Sequence, residues 1–321
     1  MTSADEIIDR RRLRRKLSFW RIATFSVFTI ALLSMIAFAA RDSVFSKTQN
    51  EHIARVKITG VITNDGPMLS LLEKLKDNEK ISAVILNISS PGGSTVGGEA
   101  IFESVRNLAE KKPVVSTVGT LAASAGYMIA SGSDHIVARR SSIVGSIGVL
   151  FQYADASKLL DNIGVKVNAV KSSPLKAEPN PFNPASDEAV AMIDRVIRDS
   201  YDWFVGIVED RRNMSRSDVL KLADGSIFTG NQGVENGLID AIGGEAIALE
   251  WLQNERQIDA DLKVIEYRPK RPRNGLFDNP TAIQKLAQLL GITLSESDAA
   301  QLEQAVRQRL LLDGLVSIWQ G

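Results

Sequence analysis

Ser124 is the residue of this chain whose surroundings most invite chemistry: a hydroxyl in the run Ala-Ala-Ser-Ala-Gly at 122–126, with small side chains on either side. The β-type run Pro113–Val118 leads into it and a helix-compatible segment, Tyr127–Ser131, follows. Ser124 therefore belongs at or near a helix N-terminus, where a peptide backbone could approach closely. Such a serine has two possible roles, as a helix cap or as a nucleophile, and a nucleophile needs a base. The chain has no cysteine, which excludes thiol catalysis, thiolate metal sites and disulfides. Its two histidines, His52 and His135, are far apart and cannot by themselves complete a three-ligand zinc site. His52 precedes the first expected strand and His135 sits where a strand opens, so neither is well placed as the base. Lysine can do this work, because an ammonium desolvated in an apolar cleft loses its preference for the charged form. Lys176 lies in an irregular loop after an expected strand, between Leu175 and Ala177, with Lys171 earlier on the same segment. The competing reading of Lys176 is a solvated loop lysine.

These residues need a scaffold. A length of 321 residues allows one or two domains at roughly 100–200 residues each, and 44% apolar against 24% charged residues is the composition of an ordinary globular chain. From residue 54 short β-branched runs alternate with amphipathic segments, the pattern of a βαβ layered fold with parallel strands covered by helices. Strands are expected at Arg55–Ile62, Ala83–Ile88, Pro113–Val118, His135–Ala138, Ile143–Val149, Val165–Val170 and Ile227–Thr229. Helices are expected at Met68–Asn78, Val96–Leu108, Lys158–Ile163, Ser215–Leu222 and Gln232–Leu238. The longest helix starts near Ser186, whose Ser-Asp-Glu run supplies a cap and an acidic first turn. Its stripe Met192, Ile193, Val196, Ile197, Phe204 and Val208 reads as core packing. Ser89–Ser94 reads as a turn exposing backbone amides at the end of a strand. The proline-rich stretch 171–186 reads as a loop, and Arg268–Arg273 as a linker to helical segments at 281–290 and 296–312 of unassigned role.

The 38 basic and 38 acidic side chains cancel, so there is no global attraction to nucleic acid. Locally the balance is uneven: residues 1–21 carry seven basic side chains and three acidic ones. Ile22 to Ala40 then run for 19 residues without an ionisable group, which as a helix spans about 29 Å, one bilayer crossing. The basic cluster before it predicts a cytoplasmic N-terminus and an external domain after about residue 42. The alternative is a cleaved signal peptide with Ala37-Phe38-Ala39 as its cleavage site, although the apolar run exceeds the usual ~7–15 residues of a signal core. The expected organisation is a basic tail at 1–21, an anchor at 22–40, a linker at 41–53, a catalytic domain at 54–253 and a C-terminal strand, linker and helical extension at 254–321.

Four motifs in this order resemble a known family: Ser-Pro-Gly-Gly at 90–93, the Gly119–Tyr127 segment, Gly-Ser-Ile-Gly-Val at 145–149 and Lys-Ser-Ser-Pro-Leu-Lys at 171–176. Together, over about residues 50–250, they are similar to signal peptide peptidase A in its short bacterial form. The resemblance implies an α/β fold of the Clp protease/crotonase type and a serine-lysine peptidase. It places Ser124 as nucleophile, Lys176 as general base and Ser146 as the serine that orients the lysine. The amides of Gly93 and Ala125 become the oxyanion donors. It implies no metal or organic cofactor, signal-peptide remnants and other membrane-associated peptides as substrates, assembly into a homo-oligomeric ring, and a bacterial inner-membrane location facing the periplasm. A crotonase-like acyl-CoA enzyme or a non-catalytic membrane-anchored scaffold are the alternatives.

Overall fold

The computed structural model describes residues 24, 26–30, 51–270 and 316–318, and the chain divides into two units, Met1–Glu51 and His52–Gly321. Of the expected anchor only Thr24 and residues 26–30 are described, and they are helical. The rest of it, the basic tail and the segments at 281–290 and 296–312 lie outside the described residues. Among the described residues no helix is long and apolar enough to cross a membrane.

The second unit is built on an eight-stranded sheet, beside which Gly92–Ser94 and Val316–Ile318 form a two-stranded antiparallel one. β1 (His52–Thr59), β2 (Ile81–Ser90) and β4 (Val114–Ala123) form its centre in the order β4-β2-β1, all parallel. β9 (Lys263–Tyr267) adds a parallel edge beside β1. Helices α1 (Gly66–Asp77) and α2 (Thr95–Ala109) make the crossovers, as parallel pairing requires. The near-continuous apolar runs have the reason expected of a sheet covered on both faces. Alternate residues Val84, Leu86 and Ile88 join one core cluster, with Leu72 of α1 and Val105 of α2. Ala83 and Ile85 join a second, with Ala248 and Leu252 of a helix at Glu245–Arg256. Each of these large side chains contributes ~1.5–3 kcal/mol by leaving water.

β4 changes partner half-way along its length. Its first half pairs with β5 (His135–Ala138) and its last three residues with β6 (Ile143–Gly145), both parallel. Ser142 sits in the gap between those partners and its hydroxyl donates to the Gly119 carbonyl at 2.6 Å, holding β4 where it leaves one neighbour for the next. β8 (Ala241–Ile242) lies parallel beside β5, and β7 (Ile227–Thr229) closes the other edge antiparallel to β6, so the sheet is not wholly parallel as expected.

Several local expectations change. Ser89 and Ser90 belong to β2, and Gly92–Ser94 is a short strand, β3, bridged in parallel to Ile62. The expected helix at Lys158–Ile163 forms as α4 (Ser157–Asn162), but the expected strand at Val165–Val170 does not form; Val165, Val167 and Val170 are exposed and pair with no strand, and a strand without a neighbour has nothing to satisfy its backbone. The expected strand at Ile143–Val149 ends at Gly145, which takes φ +93°.

Both histidines have structural explanations. His52 opens β1, is buried and stands 2.8 Å from the Tyr267 hydroxyl. His135 stacks on Trp251 at 4.7 Å, with Nδ1 3.7 Å from Asp240. Burial lowers the His135 pKa from its usual 6.5, a tendency Asp240 opposes. The folded protein therefore favours neutral His135, the unfolded chain takes the proton first, and stability falls as pH drops below 6.5. The expected result is a melting temperature that decreases between about pH 7.5 and pH 5.5, and decreases less in His135→Phe, which keeps the stack. Identical pH profiles by calorimetry would remove His135 from that dependence.

Candidate active site

Ser124 follows the last residue of β4 and precedes a seven-residue helix, α3 (Ala125–Ser131). Its backbone has φ +56° and ψ −121°, a conformation that L-residues with a side chain avoid. Strain of this kind costs about 1–3 kcal/mol and persists only where the surroundings enforce it. Here they do: the Ser124 amide donates to the Gly145 carbonyl at 2.8 Å, and the Ser124 carbonyl accepts from the Met128 amide at 2.9 Å. The Ser124 side chain makes no capping hydrogen bond to its helix. Ser94, Ser186 and Ser215 by contrast all cap theirs. The cap reading of Ser124 is thereby removed.

Register brings the second serine alongside. Ala122 pairs with Val144 and Ala123 with Gly145, so the next residue on each parallel strand is a serine, Ser124 and Ser146. Ser146 also has positive φ, +53°, and its amide donates to the Ser226 carbonyl at 2.7 Å. A Cβ on Gly145 would meet the Phe228 ring at 2.9 Å and the Ser226 carbonyl at 3.0 Å, which explains glycine between the strand and Ser146. Both serines line one cavity of about 540 Å³.

The small residues around Ser124 have a packing reason. A Cβ on Gly126 would come 2.9 Å from the Ser90 carbonyl, and one on Gly98 would come 3.0 Å from Ala125 Cβ. The start of α3 thus rests directly on the Ser90–Gly98 segment. Gly93 is held even more tightly, since a Cβ there would overlap the Ile62 carbonyl oxygen at 1.9 Å. Ala125 is fully buried as the first residue of α3, where helix geometry leaves its amide without an intrahelical acceptor.

The long helix α5 (Asp187–Arg212) supplies a wall of the cavity through Asp194, Ile197, Arg198 and Tyr201. This corrects the reading of its apolar stripe. Phe204 and Val208 are in the core, but Val196 is exposed and Ile197 faces the cavity. Of the first four turns only Ala189 is buried. Tyr201 donates to the Ala223 carbonyl at 2.7 Å, fixing the helix against the loop that forms the remaining wall with Asp224 and Gly225. No sequence signal marked these residues beyond the stripe itself.

Lys176 is exposed on its loop and does not line this cavity. Its neighbour Lys171 is engaged in an ion pair with Glu178, whose carboxyl that ammonium holds below the usual range. Lys176 makes no ion pair among the described residues, so of the two loop lysines it is the one with an uncommitted amine. Among the described residues no cluster of His, Asp and Glu could hold a metal ion.

Comparison with known proteins decides the class. A family model for peptidase family S49 matches residues 106–259, and one for Clp protease matches residues 52–148. A Synechocystis protein named "Putative protease slr0021" is 35% identical over 256 residues, covering 78% of this chain and 92% of that one. The chain belongs to peptidase family S49. An Enterococcus faecium protein named "Putative signal peptide peptidase SppA" is 34% identical over 263 residues, 78% of this chain and 75% of its own length. Protease 4 of Haemophilus influenzae is 37% identical over 191 residues, which is 58% of this chain and 31% of that one. The S49 chain is a serine peptidase on a mixed α/β, largely parallel scaffold of the Clp protease type, which sets aside the acyl-CoA enzyme and the scaffold protein.

Proposed function

We propose that this S49 chain is a membrane-anchored endopeptidase in which Ser124 is the nucleophile, Lys176 the general base and Ser146 the residue that orients the lysine. Neutral Lys176 takes the proton of the Ser124 hydroxyl while the oxygen attacks a peptide carbonyl. The resulting oxyanion is held by the Gly93 and Ala125 amides. The ammonium then returns the proton to the departing amine, and water clears the acyl-enzyme by the same steps. The observation that carries this reading is the strained corner at Ser124, with no side-chain cap, which shares one cavity with Ser146 from the end of the adjacent strand. Ile147, Val149, Leu150 and Ile197 give that cavity apolar walls, which suits signal-peptide remnants and other membrane-associated peptides.

The position of Lys176 supports a site completed by a neighbouring subunit. From Gly148 to Glu188 no residue is buried, yet the segment carries Leu150, Leu159, Ile163 and Phe182 exposed. Exposed apolar side chains gathered on one segment with no core of its own support its being a contact surface. A second copy covering the segment would form the ring and carry the Lys176 amine into the Ser124 cavity of the adjacent chain.

Two expectations follow. One lost hydrogen bond to the lysine nitrogen is worth about 1.5–3 kcal/mol, so Ser146→Ala lowers kcat/KM by ~10–150-fold with an unchanged melting temperature; full activity removes Ser146 from the site. The basic block 1–21 and the apolar span 22–40 support an inner-membrane anchor with the domain in the periplasm. Protease added to spheroplasts then digests the domain, and protection until lysis overturns that orientation.

A further inference from the structure

The loop that carries Lys176 is closed by a pair of charges. Between Gly148 and Glu188 no residue is buried, yet two charged side chains there, Lys171 and Glu178, are covered until only 22% and 15% of each is exposed. The Lys171 ammonium donates to the Glu178 carboxylate, and the Asn180 side-chain amide donates to both oxygens of the same carboxylate at 2.9 Å. Asn180 Oδ1 in turn accepts from the Phe182 amide at 2.9 Å. The Ala156 amide donates to the Pro181 carbonyl at 2.9 Å, which ties this side of the loop to the start of α4. Inside the clasp the chain folds back on itself: the Lys176 amide donates to the Ser173 carbonyl at 3.2 Å and the Glu178 amide to the Leu175 carbonyl at 3.3 Å. A segment with no core of its own thus holds a defined turn, and Lys176 is the charged side chain of that turn which the clasp leaves out.

A bare carboxylate this close would work against a general base. Two residues span at most about 7 Å, and at that range a negative charge favours the ammonium over the neutral amine that proton transfer needs. Lys171 meets this need, since its ammonium sits on the Glu178 carboxylate and the pair presents a dipole in place of a net charge. Lys171 foremost, with Asn180 after it, holds the Glu178 carboxyl below the usual carboxylate range, so the pair stays ionised. The other charges adjoining the loop are Asp155 and Lys158 beside its bond to Ala156, Lys166 before it, and Asp187 and Glu188 at the start of α5. Asp155 is occupied by Ser157 and lies next to Lys158. We propose that Lys171 is a positioning residue for the peptidase base: its ammonium masks the Glu178 carboxylate that closes the loop, so that Lys176 is presented with no net negative charge beside it. This inference rests on the reading of Lys176 as the general base.

The test uses the full-length assembled protein and follows kcat/KM on one fluorogenic peptide from pH 6 to pH 11, over which activity rises as the base becomes neutral. Lys171→Met leaves the Glu178 charge bare and should move the midpoint of that rise up by about one pH unit, a loss of about tenfold on the acidic limb. Glu178→Gln leaves the Lys171 charge bare and should move the midpoint the other way. The two changes combined remove both charges and should return it to the parent position, and Lys171→Arg, which keeps the charge, should not move it. A clasp with a purely structural role lowers the alkaline plateau in Lys171→Met and in the double variant alike and leaves the midpoint where it was. That result, in variants shown by circular dichroism and sizing to be folded and assembled, overturns the proposal. Lys176→Arg run alongside separates the two readings. Activity in that variant overturns the assignment of the base and this inference with it, whereas an inactive Lys176→Arg beside an unmoved midpoint in Lys171→Met overturns the role of Lys171 alone.

Discussion

Ser124→Ala and Lys176→Arg should each reduce peptide hydrolysis by on the order of 10⁴–10⁶-fold, and the two together should be little worse than either alone. The reason is that both remove the same proton-transfer unit: without the hydroxyl there is nothing to activate, and without a base that can become neutral there is nothing to activate it. Guanidinium keeps its proton at any working pH, so arginine preserves the charge and length of Lys176 while abolishing its chemistry. Folding should survive both changes. The Lys176 side chain is exposed in the single chain, and the corner at Ser124 is held by backbone bonds to Gly145 and Met128 that a change of side chain leaves in place. Circular dichroism and sizing of the variants, with kcat/KM on one fluorogenic peptide, check the result. Near-normal activity in Lys176→Arg would show that lysine to be a solvated loop residue and end the serine-lysine assignment.

The second large effect is its reversal by mixing. In one chain the Lys176 amine lies outside the cavity that Ser124 and Ser146 line, and the segment that carries it has no buried residue between Gly148 and Glu188. If each serine is served by the lysine of the next subunit, Ser124→Ala chains donate intact lysines and Lys176→Arg chains donate intact serines. Co-assembled in equal amounts, two dead variants should recover roughly a quarter of wild-type activity, the statistical share of interfaces that pair an intact serine with an intact lysine. Each variant assembled alone stays inactive. A mixture that remains as dead as its parts, with mixed assemblies verified by differential tagging, sinks the cross-subunit supply of the base.

The amino-acid sequence by itself determined the alternation of strand and helix, because a strand buried on both faces must be apolar at nearly every position and Ala83–Ile88 is. It also marked Ser186 and Ser215 as helix starts, since capping is a local contest between a side chain and the next turn's amides. It singled out Ser124 by the small residues required where the start of α3 rests on Ser90 and Gly98. What it left open were quantities that depend on distant partners. Whether Ser124 caps or is presented to a cavity depends on a φ of +56° imposed by the Gly145 carbonyl, 21 residues away. That Ser124 and Ser146 reach one cavity follows from the register of the two strands that end just before them, and register is set by the whole sheet. The first half of α5 reads as core by periodicity, yet an apolar stripe is the same whether it meets a sheet or a cavity. The C-terminal strand at Val316–Ile318 has no local signature, since three residues carry no period. Only the free edge of Gly93, facing away from Ile62, made it a strand.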